Sequence, residues 1–380
     1  MCKFLIESHI ARNYMIRIFY LAFCGALTFG SGVFASEVES DARIQAVSDR
    51  LAQAAGDGAS GVLRISLGGT VLLEQGFGSA SCEDDETVTP AHVFMIGSIT
   101  KEFTRVLGFV LEEKQILSLD DTVSEILPDF RGPIGRVTMR QLLDHTGGLP
   151  DLIDRDGNPV PYTVEYDYEP VSRDELISRA ERAELISEPG DNEQYSNLGY
   201  QLLAAIYEVA AGATYPDLLR RHVYAPAEMQ DTDFWFSDPQ GRAFADGCRT
   251  GGERWGNPID DKMWGERGPS WNLIGAGGLL STAESLGRFF EGIGNGVYFD
   301  DPEQLERYKS SRMAFSERRQ QRIMGPGGSN GIFNAVGFWT DGDRFNVILM
   351  TNRADHLAEG GLIQDIVGSF PPDSFTLDSK

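Results

Sequence analysis

The sequence has few cysteines, few histidines and no excess of basic residues. Of its 380 residues four are cysteine and five are histidine, and no two histidines stand at the spacing of a zinc site. We therefore expect neither a metal nor a cofactor. Acidic residues number 57 against 33 basic ones, so the net charge is -24. Because that field repels phosphate backbones, a nucleic-acid partner is not expected.

Only one long apolar run is present, and it lies at the N-terminus. Three basic residues precede an apolar stretch over residues 18–35, which ends in the small-residue pattern Val33-Phe34-Ala35. We predict a signal peptide over residues 1–35 and an exported protein, periplasmic or secreted, without membrane insertion after removal of the leader. The alternative, a membrane anchor, is disfavoured because the run is short and contains glycines.

Two cysteines, Cys82 and Cys248, remain beyond the predicted leader. In an oxidising compartment they can form one disulfide. A bridge requires Cα atoms less than about 7 Å apart. The sequence does not give that distance, so both the bridged and the free state stay open.

The sequence patterns place strands near both ends of the chain and most helices between them. Apolar runs predict strands near both ends, over 62–67, 71–77, 332–340 and 344–350. Helices are predicted over 37–55, 99–115, 173–185, 199–210, 281–292 and 357–367. We predict an α+β fold, an α/β/α sandwich, within one domain over 36–380. Its antiparallel sheet is built from about 36–90 and 300–370, and a mostly helical subdomain over about 91–299 is inserted.

Ser98 and Lys101 form a Ser-x-x-Lys motif at the start of a predicted helix. Residues three apart on a helix lie on one face, so the lysine amine can reach the serine hydroxyl. The flanking residues are apolar, and a lysine without water has a lowered pKa that lets it accept the serine proton. The motif is short and by itself also fits a helix cap beside a solvated lysine.

Further motifs accompany Ser98 and Lys101. Tyr195-Ser196-Asn197 offers a phenol and an amide, a loop with the sequence LLDHTGGLP spans 142–150, and a glycine-rich segment spans 275–283. In this order the set resembles the serine β-lactamase and penicillin-binding-protein superfamily, in its class C β-lactamase-related branch. The resemblance covers about 61–352 and implies a β-lactamase/transpeptidase-like fold.

The resemblance implies roles for individual residues. Ser98 would be the acylated nucleophile, Lys101 its general base and Tyr195 the proton shuttle to the leaving group. Asn197 would hold the substrate amide or ester, and His145 would be a packing and turn residue. The Ser98 backbone N–H would be one oxyanion-hole donor, and Gly328 and Ser329 would lie on the substrate-binding strand, with the Ser329 N–H as the second donor.

The sequence departs from the family at the third motif. Where the family has Lys-Thr-Gly or His-x-Gly, the aligned segment is Pro326-Gly327-Gly328-Ser329. A substrate carboxylate loses its basic partner there, unless Arg322 or Arg353 replaces it. We therefore expect a serine hydrolase that acts through an acyl-enzyme on an uncharged ester or amide of a small molecule or peptide. The alternatives are D-alanyl-D-alanine carboxypeptidase or β-lactamase activity, and a non-catalytic binding or scaffolding member. The sequence leaves the oligomeric state open.

Overall fold

The computed structural model describes residues 31–83, 85–234, 241–263, 268–354 and 360–370. The chain divides into two compact units, residues 1–43 and 44–380. Most of the predicted signal peptide, residues 1–30, lies outside the described residues. Within the described part of the chain, no helix combines the length and the apolar character needed to cross a bilayer.

Among the described residues, the β-strands form one large and two small antiparallel sheets. The large sheet has seven strands in the order β2-β1-β12-β11-β9-β8, with β10 paired to β11 beside that path. Strands β3, β7 and β4 form a second sheet, and β5 and β6 a third. The strands are β1 (Gly61–Leu67), β2 (Thr70–Phe77), β3 (Phe94–Met95), β4 (Thr232–Asp233), β5 (Gly247–Cys248), β6 (Arg254–Gly256), β7 (Leu280–Ser281), β8 (Ala314–Ser316), β9 (Gln321–Met324), β10 (Gly327–Ser329), β11 (Asn334–Thr340) and β12 (Phe345–Thr351).

Both ends of the chain contribute neighbouring strands to the large sheet. Strand β1 pairs with β12 along its whole length, with Gly61 opposite Thr351 and Leu67 opposite Phe345. The predicted antiparallel sheet from the two termini is confirmed. Strands β1 and β2 form an antiparallel hairpin that turns at Gly68-Gly69.

In the sequence, most of the helices lie between β2 and β8. They are α1 (Ser31–Gly56), α2 (Thr100–Glu113), α3 (Val123–Ile126), α4 (Met139–Leu143), α5 (Val164–Tyr168), α6 (Arg173–Arg182), α7 (Asn197–Ala211), α8 (Tyr215–Leu219), α9 (Ala283–Asn295), α10 (Pro302–Arg312) and α11 (Gly360–Ser369). Two 3₁₀ helices (Gly97–Ile99 and Pro133–Arg136) and a π-helix (Arg220–Tyr224) complete the described set.

Helix α10 and strands β8 and β9 are among the elements that the sequence patterns did not predict, and the short helices α3, α4, α5 and α8 are others. Helix α10 buries Gln304, Tyr308 and Lys309, so its inner face is largely polar and shows no apolar periodicity. Its start is set by Asp301, whose side chain accepts a hydrogen bond from the Glu303 backbone N–H at 2.9 Å. Strands β8 and β9 are only three and four residues long and are set by mutual pairing.

Strand β12 is buried on both faces and separates two apolar cores. Val347 and Leu349 face a core shared with Leu51 of α1 and Ile366 of α11. Alternate residues point to opposite faces of a strand, so Ile348 and Met350 face the second, larger core, which includes the helical region. Helices therefore cover both faces of the sheet, as in the predicted α/β/α sandwich.

Cys82 and Cys248 form a disulfide with a Cα–Cα distance of 5.7 Å across 166 residues of sequence. It joins the loop after β2 to β5. The bridge resolves the alternative that the sequence left open, since the pairing of two distant segments brings the thiols together.

Removing this disulfide is expected to lower the free energy of unfolding by about 2–5 kcal/mol, because a long loop in the unfolded chain regains its freedom. The test compares urea denaturation of the wild type with that of the Cys82→Ser/Cys248→Ser double variant. An unchanged midpoint would contradict the prediction, and a wild type titrated in reducing agent should reproduce the variant.

Candidate active site

Ser98 lies in the 3₁₀ helix that connects β3 to α2. The backbone of the preceding Gly97 has a φ of 51°, in the left-handed region that favours glycine. A Cβ on Gly97 would also lie 2.6 Å from the Ser329 backbone nitrogen. Glycine at 97 therefore lets the chain turn at Ser98 while β10 lies against it.

Lys101 is buried in the first turn of α2, with 5% of its surface exposed. Its Nζ lies 3.2 Å from Ser98 Oγ, 2.7 Å from Asn197 Oδ1 and 2.6 Å from the Ala276 carbonyl oxygen. A neutral amine has two N–H donors and one lone pair. Because two of these three partners are acceptors only, they take the two N–H groups and the lone pair is left for the Ser98 hydroxyl.

Burial lowers the pKa of Lys101 to about 7. The negative charges of Asp151, Asp167 and Glu102 oppose this shift but do not cancel it. A large share of the amine is thus neutral near neutral pH. That is the protonation state in which Lys101 accepts a proton from Ser98.

Tyr195 directs its hydroxyl at the same serine. The hydroxyl oxygen lies 2.6 Å from Ser98 Oγ and 3.5 Å from Asn197 Oδ1. Although 46% of the residue is exposed, loss of water around the hydroxyl raises the pKa of Tyr195 to about 12, and the hydrogen bond with Ser98 opposes part of the shift. The phenol therefore keeps its proton at neutral pH, which suits a proton donor and leaves Lys101 as the base.

His145 supports Tyr195 without touching Ser98 in the described contacts. Its Nδ1 accepts a hydrogen bond from the Ser196 backbone N–H at 3.2 Å, and its ring centroid lies 4.8 Å from that of Tyr195. Its φ is 57°, so it occupies a tight turn. Burial and the charge of Lys101 lower the pKa of His145 to about 3, so the ring is neutral and can accept at Nδ1. This position fits the predicted packing and turn role.

Strand β10 supplies the second wall of the site. The Pro326 carbonyl accepts from the Gly337 N–H at 2.9 Å, and the Asn330 N–H donates to Phe333 at 3.2 Å, so residues 326 and 330 bond toward β11. Because backbone groups alternate along a strand, the N–H of Ser329 points the other way, toward residues 97–98. A Cβ on Gly328 would lie 2.7 Å from the Ser98 nitrogen. The backbone nitrogens of Ser98 and Ser329 thus both lie at the close contact between β10 and residues 97–98.

Pro326 is buried directly before this strand, and both proposed substitutes for the missing basic residue already make contacts elsewhere. Arg322 is paired with Asp341 at 2.6 Å and with Glu306 at 3.0 Å. Arg353 donates from Nη2 to the Ser81 carbonyl at 3.3 Å. Strand β10 nevertheless stays paired with β11, with Gly327 opposite Val336.

All six residues predicted for the site come together: Ser98, Lys101, Tyr195, Asn197, Gly328 and Ser329. Two participants were not predicted from the sequence. The Ala276 carbonyl is a backbone group and has no signal in sequence. Asp151, which binds the Asn197 amide, directly follows the LLDHTGGLP loop, but nothing in its spacing indicates that contact.

Comparisons with known proteins agree with this geometry. A family model described as Beta-lactamase matches residues 45–361, and the chain belongs to that family. A penicillin-binding protein of Bacillus subtilis (strain 168) is 34% identical over 176 residues, which span 46% of this chain and 37% of that protein. The matched region is thus well under half of that relative.

Solved structures of similar fold cover nearly the whole chain. EstCE1, described as a hydrolase with promiscuous acyltransferase activity, has a TM-score of 0.70 at 20% identity and covers 88% of this chain and 99% of that one. A class C β-lactamase has a TM-score of 0.68 at 15% identity, with coverage of 88% and 99%. The fold is therefore that of the β-lactamase/transpeptidase superfamily, whose members are serine hydrolases.

Proposed function

We propose that the protein is a serine hydrolase that works through an acyl-enzyme on Ser98. The observation that carries this proposal is the position of Ser98 Oγ, within hydrogen-bond reach of both Lys101 Nζ (3.2 Å) and the Tyr195 hydroxyl (2.6 Å). A nucleophile, a base of lowered pKa and a protonated acid in one cluster is the arrangement that acyl transfer needs.

The reaction then runs in two stages. Ser98 Oγ attacks the carbonyl carbon while its proton passes to Lys101, and the oxyanion is held by the N–H groups of Ser98 and Ser329. The bond to the leaving group breaks as Tyr195 protonates it and regains a proton from Lys101. Attack of water on the resulting ester releases the acid and restores Ser98.

The preferred substrate in this proposal is an uncharged ester or amide. A substrate carboxylate needs a cationic partner, and the buried Pro326 offers none. The guanidinium of Arg322 is already held by two carboxylates, and the net charge of -24 repels anions at long range. D-alanyl-D-alanine stems and β-lactams carry that carboxylate and are disfavoured for the same reason.

We further propose that the protein is exported. The charged and apolar pattern of residues 1–35 supports this, and so does the Cys82–Cys248 disulfide, since disulfides persist in oxidising compartments.

The alternative, a non-catalytic role, is supported by Pro326 alone. The intact hydrogen bonds among Ser98, Lys101 and Tyr195 favour catalysis.

The first test is exposure to a fluorophosphonate followed by intact mass spectrometry. We expect one adduct on the wild type, none on Ser98→Ala, and one on Ser310→Ala, which removes an exposed hydroxyl from α10. An unlabelled wild type would favour the non-catalytic alternative instead.

A panel of short-chain p-nitrophenyl esters, assayed beside nitrocefin, then tests the substrate class. Fast nitrocefin hydrolysis would contradict the ester preference.

A further inference from the structure

Asp151 accepts hydrogen bonds from the two donor groups of Asn197, the backbone N–H and the side-chain NH₂. Its Oδ1 accepts from the backbone N–H of Asn197 at 2.8 Å and from the side-chain Nδ2 of Asn197 at 2.8 Å. An ionised carboxylate only accepts hydrogen bonds, so the NH₂ end of the Asn197 amide must face Asp151. The oxygen end then faces Lys101, at 2.7 Å from Nζ.

The orientation of that amide matters for the base. With Oδ1 toward Nζ, Asn197 takes one N–H of the neutral amine and leaves its lone pair for Ser98. If the amide turned over, Nδ2 would point its N–H at Lys101 and compete with the Ser98 hydroxyl for the lone pair. The free amide has no preference between these orientations, so a neighbour must impose one.

We propose that Asp151 is a positioning residue of this site: it locks the Asn197 amide so that the Lys101 lone pair stays directed at Ser98. The inference rests on the proposed acyl-enzyme function and deepens it by a residue that does not itself touch Ser98.

The loop that carries Asp151 is also fixed by bonds that do not use its carboxylate. The Leu198 N–H donates to the Asp151 backbone carbonyl at 2.9 Å, and Ser196 Oγ donates to the Pro150 carbonyl at 2.8 Å. A side-chain substitution at 151 leaves these backbone bonds in place. We therefore expect such variants to fold, and their effects to report on Asn197.

The charge of Asp151 acts on the base as well. The carboxylates whose charges act on Lys101 are Asp151 from its loop, Asp167 from α5 and Glu102 from α2, and all three raise the pKa of Lys101. The Tyr195 and Tyr200 rings lie 4.8 and 5.7 Å from Nζ, and His145 is neutral. Removing the Asp151 charge lowers the pKa of Lys101, so the neutral amine persists to lower pH.

Two variants separate the two effects. Asp151→Asn removes the charge and keeps an acceptor oxygen, whereas Asp151→Ala removes both. On p-nitrophenyl butyrate we expect kcat at the pH plateau to fall by about 10- to 100-fold in Asp151→Ala, since small misplacements of a catalytic group have effects of that size. Asp151→Asn should recover part of it, and its acid limb should move to lower pH by about half a unit. Asp154→Asn, which removes a charge from the same loop away from Asn197, should match the wild type.

A double-variant experiment tests whether Asp151 acts through Asn197. In an Asn197→Ala background, Asp151→Ala should lower kcat no further, and a second full loss would overturn the proposal. A wild-type kcat in Asp151→Ala would overturn it as well.

The NMR exchange rate of the Asn197 side-chain NH₂ gives a readout that does not depend on turnover. We expect exchange to be slow in the wild type and in Asp154→Asn, and fast in Asp151→Ala. An inactive wild type with that pattern would refute the hydrolase function yet support the lock, whereas equal exchange rates would refute the lock.

Discussion

Replacing Lys101 by methionine is expected to slow acylation of Ser98 by about 100- to 10,000-fold, the range that a positioned general base contributes. Methionine matches the length of the buried lysine stem and carries no charge, so the apolar surroundings accept it. Tyr195 cannot take over as base, because its pKa is raised to about 12 and it holds its proton at neutral pH. Stopped-flow release of p-nitrophenol measures the acylation rate directly.

The exposed Lys114, just beyond the end of the same helix, provides the matched control. Lys114→Met should acylate like the wild type. The pH dependence gives an independent check, since activity should rise with pH through a midpoint near 7, where the buried Lys101 loses its proton. The chain has only six lysines, so NMR of ¹³C-labelled lysine can follow that titration directly. A Lys101→Met variant that acylates at the wild-type rate would assign the base elsewhere.

Substituting Gly328 by alanine is expected to lower kcat by about 100- to 1,000-fold, the loss associated with an oxyanion-hole donor. A Cβ at 328 would lie 2.0 Å from the Ile96 carbonyl oxygen and 2.7 Å from the Ser98 nitrogen. Real Cβ atoms do not approach backbone so closely, so β10 must move away from the segment that carries Ser98. The Ser329 N–H moves with it and no longer faces the developing oxyanion.

Gly327 offers a control one residue away on the same strand. A Cβ at 327 would have only the Ala335 carbonyl oxygen nearby, at 4.0 Å. Gly327→Ala should therefore keep activity and stability close to those of the wild type. Steady-state kinetics and thermal melts of both variants suffice as measurements. Equal activity of Gly327→Ala and Gly328→Ala would mean that β10 does not form a wall of the site.

These effects share one cause, which is the close fit between three separate parts of the chain. Ser98 and Lys101 belong to one local turn, Asn197 begins α7, and Ser329 ends β10. Glycine at 97 and at 328 lets two of these segments approach within contact distance. The site is thus a junction between the helical region and the sheet, and a displacement of one segment moves its groups away from those of the other two.

The sequence by itself determined the residues whose relation is local. Ser98 and Lys101 stand three apart at a helix start, Tyr195 and Asn197 two apart, and alternating apolar runs marked the strands at both ends. Periodicity and short spacing report such relations because they depend only on nearby backbone geometry. The family resemblance added the order of the motifs.

Only the tertiary structure decided the rest. Lys101 and the Ala276 carbonyl are 175 residues apart, and Cys82 and Cys248 are 166 residues apart. The hydrogen bond from Asn197 to Asp151 and the ion pair between Arg322 and Asp341 also join residues that are distant in sequence, and both depend on the direction of the side chains. Local patterns carry no distance between remote segments, and a backbone carbonyl has no residue type to recognise. Such contacts follow only from how the sheet and the helices pack.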